Sequence, residues 1–460
     1  MNRMAEEVSA AYLVEIAEGD VPVGYKKTEV GVVPEDWNVG PFGKLFEKTS
    51  SRKALRSTEL VSFVGMQDVT ENARLKSVHL VNFEEVKAGF TYFEKKDVLV
   101  AKITPCFENG KGCSTNNLPT NIGFGSTEFH VLRAKDHSDA DFIYFWTTAK
   151  TLRTALESEM VGSAGHRRVP LHALQNYVIP YPKCKHEQFA IAKILSGLDL
   201  LMEKLEALIL KKQAIKAATM EQLLTGRTRL PQFAFWEDGS PKRYKSSELG
   251  EIPEDWDICD IQQSCDILTG YPFPSEGYSL VGFRLLRGAN IKRDRTDWSE
   301  QITSYWPEVT ADLKEYELKS GDIVISMDGS LVGKSFAQLT GNDLPALLLQ
   351  RVARLRAKTV YQSYLKEWIC SSFFIDHCDS LKTVTAIPHI SPQDIKSFKF
   401  FVPRCEREQI DIATVLSELS EEVLLLEKRL DKTRQLKQGM MQQLLTGKIR
   451  LLKASTVSAS

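Results

Sequence analysis

The sequence predicts an α+β chain of two tandem α/β globular domains, each followed by a long helix, with the two helices forming an antiparallel coiled coil about an internal pseudo-two-fold. Three observations carry that expectation: the chain repeats itself once, each copy opens with short β-branched and aromatic runs, and each copy closes on heptad-spaced leucines.

The repeat is explicit at both ends of each copy. Tyr25-Lys26-Lys27-Thr28-Glu29-Val30-Gly31-Val32-Val33-Pro34-Glu35-Asp36-Trp37 returns as Tyr244-Lys245-Ser246-Ser247-Glu248-Leu249-Gly250-Glu251-Ile252-Pro253-Glu254-Asp255-Trp256, offset by 219 residues with eight of thirteen positions identical. Gln222-Leu223-Leu224-Thr225-Gly226-Arg227 returns as Gln443-Leu444-Leu445-Thr446-Gly447-Lys448, offset by 221. Between these anchors only echoes survive, such as Asp97-Val98-Leu99-Val100 against Asp322-Ile323-Val324-Ile325 and Pro182-Lys183-Cys184 against Pro403-Arg404-Cys405. The frame is shared and the filling differs.

Taken in order, a leader (1–22) places Val8, Tyr12 and Ile16 at helical spacing. The first domain (23–185) has strand-like runs at Val61–Val64, Val78–Val81, Val98–Ile103 and Glu128–Leu132, a helical stretch Asp141–Glu159, and a last strand Tyr177–Pro180. The central helix (186–226) carries Leu198, Leu201, Leu205 and Leu208 at steps of three and four, and its run from near Glu187 to Leu224 would be about 55 Å long. A linker (227–243) leads to the second domain (244–405), with runs at Ile323–Ile325, Ser335–Leu339 and Arg351–Leu355, a helix Ser363–Ser380 and a last strand Phe398–Val402. The second long helix (406–447) carries Leu416, Leu419, Val423, Leu426 and Leu430, and a tail (448–460) follows. Gly226 and Gly447 stand where helix C-caps belong.

Composition narrows the function classes. At 460 residues the chain holds about three folding units. With 59 basic and 60 acidic side chains its formal charge is −1, so contact with a polyanion must be local. The longest apolar-looking stretch, Leu198–Leu210, is broken by Asp199, Glu203, Lys204 and Glu206, which argues against a membrane span. Eight cysteines without a Cys-x-x-Cys pair point to reduced structural thiols, and the expected compartment is the cytoplasm.

Two motifs tempt and fail. Asp328-Gly329-Ser330-Leu331-Val332-Gly333-Lys334-Ser335 ends like a phosphate loop but encloses three residues between its glycines rather than four, and Asp328 would repel phosphate. Gly123-Phe124-Gly125-Ser126 resembles a methyl-donor loop without the Asn-Pro-Pro-aromatic or Asp-Pro-Pro-aromatic motif that amino methylation of a base requires. No catalytic or metal-ligand constellation emerges. What remains are polar, basic loops at the same place in both copies: Gly162-Ser163-Ala164-Gly165-His166-Arg167-Arg168 and Lys382-Thr383-Val384-Thr385-Ala386-Ile387-Pro388-His389. Such side chains bond phosphates and base edges.

The repeated opening motif, the Pro-x-Cys-x-x-Glu-Gln lead into each helix (Pro182 to Gln188, Pro403 to Gln409) and the Gln-Leu-Leu-Thr-Gly-[Arg/Lys] exit resemble the DNA specificity (S) subunits of type I restriction–modification systems. The resemblance covers the chain from Tyr25 onward, and Ile103-Thr104-Pro105-Cys106-Phe107-Glu108-Asn109-Gly110-Lys111-Gly112 is similar to a stretch common in the family's first target recognition domain. It implies a non-catalytic subunit whose two target recognition domains each read half of a bipartite double-stranded DNA site, with the helices setting the unread spacer. It further implies two modification (methyltransferase) subunits using S-adenosylmethionine for adenine methylation, and restriction subunits using ATP and Mg, with no cofactor or metal on this chain. The candidate DNA contacts are Lys102, Thr104, Asn109, Lys111, His166, Arg167 and Arg168 in the first domain and Ser326, Ser330, Lys334, Arg351, Thr383, Thr385 and His389 in the second. A coiled-coil scaffold with two protein-binding globules is the alternative reading, and a stand-alone nucleotide-dependent or methyl-transferring enzyme is a third.

Overall fold

The computed structural model describes residues 21–47, 52–163, 165–383 and 388–451. The leader expected to be helical (1–22) lies outside the described residues except for its last two. The chain divides into two compact units, residues 1–206 with 429–460 and residues 207–428. Each unit holds one α/β domain and a stretch of each long helix, so both helices pass from one unit to the other along the chain.

In the first unit, Tyr25–Thr28 and Gly31–Pro34 form a hairpin whose two-residue turn is closed by Thr28 Oγ1 donating to the Gly31 carbonyl. Trp37–Pro41 pairs antiparallel with the last strand of the domain, Val178–Pro182, so the two ends of the domain meet. One antiparallel sheet runs Phe46–Glu47, Phe129–Ala134, Val98–Ala101, Gly112–Ser114. A second runs His79–Asn82, Leu60–Val64, Ile122–Gly125, Thr91–Glu94, with its central pair parallel.

The second unit repeats this plan where the sequence echo has faded. Tyr244–Ser247 and Gly250–Pro253 form the hairpin, and Trp256–Asp260 pairs with Lys399–Pro403. Cys265–Thr269, Val352–Ala357, Ile323–Ser326 and Phe336–Gln338 form the antiparallel sheet. Tyr305–Trp306, Phe283–Leu286 and Ala346–Leu348 form the second, again with a parallel pair.

The single helices expected at Asp141–Glu159 and Ser363–Ser380 are each two: Ala140–Thr148 and Lys150–Ser158, Gln362–Cys370 and Ser372–Leu381. The chain turns extended at Ala149 and Ser371, each three residues after a buried tryptophan whose carbonyl accepts its N–H. Neither break is marked by Gly or Pro; in the second copy Ser371 caps the new helix by accepting from the Phe374 N–H.

The long helices run Lys185–Leu224 and Glu406–Leu444. Within the first unit their pairing is antiparallel: Asp199 meets Lys437 at 2.7 Å, and farther along the central helix Glu206 meets Arg434 at 3.1 Å. Within the second unit Lys212 pairs with Glu422 at 2.7 Å. The expected seam of the second helix holds, with Leu416, Val423 and Leu430 buried. In the central helix the seam is shifted: Leu195, Met202, Leu205 and Ile209 are buried, whereas Leu208 is 39% exposed. The row of leucines at 198, 201, 205 and 208 and the row at 195, 202, 205 and 209 have equally good heptad spacing, and packing decides between them.

Both helices end at a left-handed glycine, Gly226 at φ +68° and Gly447 at φ +72°. Past each cap an arginine clamps onto a copy's opening motif. Arg450 bonds Asp36 Oδ1 at 3.0 Å and Glu187 Oε2 at 2.9 Å, while Trp37 Nε1 donates to Glu187 Oε1 at 3.3 Å. Arg229 bonds Asp255 Oδ1 at 2.7 Å and Glu408, while Trp256 Nε1 donates to Glu408 Oε2 at 3.3 Å. The segment after the second helix thus packs on the first hairpin, and the segment after the first helix packs on the second. The Gln that leads into each helix is also used: Gln188 accepts from the Asp139 N–H and donates to the Pro182 carbonyl, and Gln409 does the same with Tyr361 and Pro403.

Candidate nucleic-acid interface

In the first domain the candidate residues lie on loops, one of which leaves the end of an inner strand of the antiparallel sheet. Strand Val98–Ala101 runs into the loop Lys102–Lys111, which is stitched to the second basic loop by the backbone: Thr104 N–H donates to the Arg167 carbonyl at 2.9 Å and Val169 N–H to the Lys102 carbonyl at 2.8 Å. Lys111 Nζ reaches the Met66 carbonyl at 3.0 Å, and Asn109 Nδ2 reaches Glu71 Oε1 at 3.2 Å. Three segments, around 66–71, 102–111 and 166–168, therefore form one patch.

Individual side chains differ in how free they are. Arg168 forms a two-pronged pair with Glu128, both contacts 2.9 Å, yet 43% of its side chain remains exposed. That pair holds the Glu128 carboxyl below the usual range, Lys102 adding to the effect. His166 and Asn109 are exposed, Lys102 and Lys111 half-buried. Thr104 Oγ1 donates to Glu108 Oε1 at 2.7 Å. Arg167 is turned inward, its guanidinium donating to the carbonyls of Glu157 at 2.9 Å and Met160 at 3.4 Å, where it satisfies the end of helix Lys150–Ser158.

The second domain builds the same patch with other residues. Strand Ile323–Ser326 leads into the Gly-Lys turn, and Gly329 N–H donates to the Pro388 carbonyl at 3.0 Å while Ile390 N–H donates to the Met327 carbonyl at 2.9 Å. Met327 N–H donates to the carbonyl of Arg351, a non-glycine residue at φ +65° whose guanidinium reaches Asp328 Oδ2 at 3.2 Å. Thr383 and His389 bond each other, Oγ1 to Nδ1 at 2.9 Å. Ser330 and Lys334 are exposed; Ser326 is buried and donates to the Asp328 carbonyl at 3.1 Å. Thr385 lies outside the described residues.

Sequence reasoning missed the third wall of each patch, the turns Gly65–Asp68 and Arg287–Asn290. Each closes through its last side chain, Asp68 accepting from the Gly65 N–H and Asn290 from the Arg287 N–H. A Cβ on Gly288 would come within 2.5 Å of Ser326 Oγ, so this turn abuts the candidate residues directly. The signal was there: Asp68-Val69 and Asn290-Ile291 are similar pairs 222 residues apart, but two positions are too few to stand out. The acidic partners Glu71 and Glu128 were missed as well, since they come from separate segments, and Asp328, read from sequence only as repelling phosphate, pairs with Arg351.

Among the described residues no three His, Cys, Asp or Glu side chains gather as a metal site, and no helix is long and apolar enough to cross a membrane. Two equivalent polar patches, rich in donors and each placed on the same loops of a repeated domain, suit recognition rather than bond-making.

The family model for the type I restriction modification DNA specificity domain matches residues 34–212 and again residues 253–435. The chain belongs to that family. It is a specificity subunit with two specificity domains, and not itself a catalytic subunit. It is similar to the specificity subunit of the type I restriction enzyme EcoAI of Escherichia coli, 28% identical over 453 residues that cover 82% of this chain and 77% of that protein. The specificity subunit of MjaVIII from Methanocaldococcus jannaschii is 29% identical over 435 residues, covering 91% and 94%. The solved S subunit of a type I restriction–modification system from M. genitalium shares the fold, with a TM-score of 0.55 at 13% identity over 89% of this chain and 96% of that one.

Proposed function

We propose that each patch reads one half of a bipartite double-stranded DNA target, and that the long helices set the unread gap between the halves. The observation that supports this is the repetition of the patch: two loops stitched by equivalent backbone bonds present Lys102, His166 and Arg168 in one domain and Ser330 and Lys334 in the other, where Arg351 joins them through its carbonyl's bond with the Met327 N–H. Shared framing with different side chains is what two readers of different sequences require. On this reading the chain works in the cytoplasm with two modification subunits that bind S-adenosylmethionine, and with restriction subunits that use ATP and Mg, while holding no cofactor itself. The partners supply part of the phosphate neutralisation, which fits a chain of charge −1.

Substitution within one patch tests the division of labour. Arg168→Ala in the assembled complex should weaken methylation and relax base preference in one half of the target, by about 1–3 kcal/mol if the side chain reads a base edge. The other half should be unaffected, and relaxation in both halves or in neither contradicts the assignment.

A further inference from the structure

Arg74 lies at the far end of the segment whose near end holds two candidate DNA contacts. Met66 and Glu71 take Lys111 and Asn109, as above. The chain then folds into a tight turn: Thr70 N–H donates to the Arg74 carbonyl at 2.9 Å, Arg74 N–H donates to Thr70 Oγ1 at 3.1 Å, and Ala73 holds φ +57°. The turn is fixed to helix Ala140–Thr148, where the buried Tyr144 hydroxyl donates to the Ala73 carbonyl at 3.1 Å.

Beyond the turn the Arg74 guanidinium spans two carboxylates of the central helix. Nη1 donates to Glu206 Oε2 at 2.9 Å, and Nη2 lies 3.5 Å from Asp199 Oδ1. Seven residues apart, these acids spring from backbone positions separated by about 10.5 Å along one helix face. They also hold the other long helix, Asp199 through Lys437 and Glu206 through Arg434. One guanidinium thus joins the reading loops directly to the central helix of the first unit, and to the other helix through the acids it shares with Lys437 and Arg434. An isolated surface pair would contribute little, but a planar fork shared between two acids fixes direction as well as distance.

We propose that Arg74 is a positioning residue for spacer length, holding the first domain's reading loops at a set attitude to the helix pair. This rests on the bipartite reading above. One base pair of spacer is about 3.4 Å, so rejecting a gap one pair too long or too short requires the loops to be held more tightly than that. The hydrophobic core keeps the domain folded; the Arg74 fork removes its residual tilt.

The experiment uses the full chain assembled with its modification subunits and DNAs that share both half-sites but differ in gap length. Arg74→Ala should lower the ratio of methylation at the native gap over gaps one pair longer or shorter by about tenfold, the scale of one mismatched pair. Base preference within each half should not change. Arg74→Lys, which keeps charge but not the fork, should fall between, and Asp199→Asn with Glu206→Gln should reproduce Arg74→Ala. An unchanged gap ratio in Arg74→Ala overturns the proposal. If Arg74→Ala loses methylation altogether, an unchanged ratio in Arg74→Lys and in the double variant overturns it equally. A wild-type complex without a two-part target would instead overturn the bipartite reading, and the proposal with it.

Discussion

Arg229 and Arg450 occupy equivalent positions, but Arg229 is 4% exposed and Arg450 35%. Removing the first leaves Glu408 buried without its cation, so Arg229→Ala should cost about 3–5 kcal/mol of stability. Arg450→Ala, wetter on both sides, should cost no more than about 1 kcal/mol. Differential scanning calorimetry of the two variants measures the contrast, and equal shifts would refute it. At the patch, Arg168 keeps Glu128 deprotonated below the ordinary glutamate value, so the pair's contribution is full above that value and fades as pH falls through the lowered one. Arg168→Ala should accordingly be less stable than the parent at pH 7 and converge on it as pH falls below the lowered Glu128 value, a convergence that acid titration of folding would reveal. Burial pushes the Cys113, Cys265 and Cys378 thiols up to about 12, whereas Cys184 and Cys405 are exposed. A thiol reagent at pH 8 should therefore label Cys184 and Cys405 first, and rapid labelling of a Cys184→Ser, Cys405→Ser chain at Cys113, Cys265 or Cys378 would contradict the packing. The pair Arg167-Arg168 marks how far single residues were legible: composition made both donors, but only the fold shows one guanidinium capping a helix and its neighbour facing outward.

Helix ends were legible because capping chemistry is local, and helix faces less so. Gly226 and Gly447 were readable as caps, and beside their positive φ the surroundings also exclude a side chain: a Cβ would come within 2.6 Å of Pro253 Cγ and 2.5 Å of Pro34 Cδ. Gly226→Ala should destabilise by about 1–2 kcal/mol from backbone strain alone, with the proline contact adding to it. Gly197, within the central helix, has nothing within 4 Å of the place a Cβ would take, so Gly197→Ala should stabilise by up to about 1 kcal/mol. Opposite Tm shifts for these two glycines would confirm the helix register. The breaks at Ala149 and Ser371 and the shifted seam were not legible, since each is settled by packing against distant parts of the chain rather than by neighbours in sequence.

At the scale of the whole chain, duplication was the most informative signal, because eight identities in a thirteen-residue motif survive where pairwise contacts leave no trace. The repeated anchors proved to be the contacts that close each unit, Trp37 with Glu187 and Arg450, Trp256 with Glu408 and Arg229. The divergent middles kept their sheet order, but for one edge strand of the second sheet, without keeping their sequence, which is why the patches could be located but their third wall could not. Reading of two separated half-sites by the two patches, as proposed, is put to the test by assembling the chain with its modification subunits in a genome lacking the mark and mapping methylated adenine. A two-part motif with one fixed gap is the predicted result. A methylation-competent complex that marks no motif, or a single contiguous one, would contradict it.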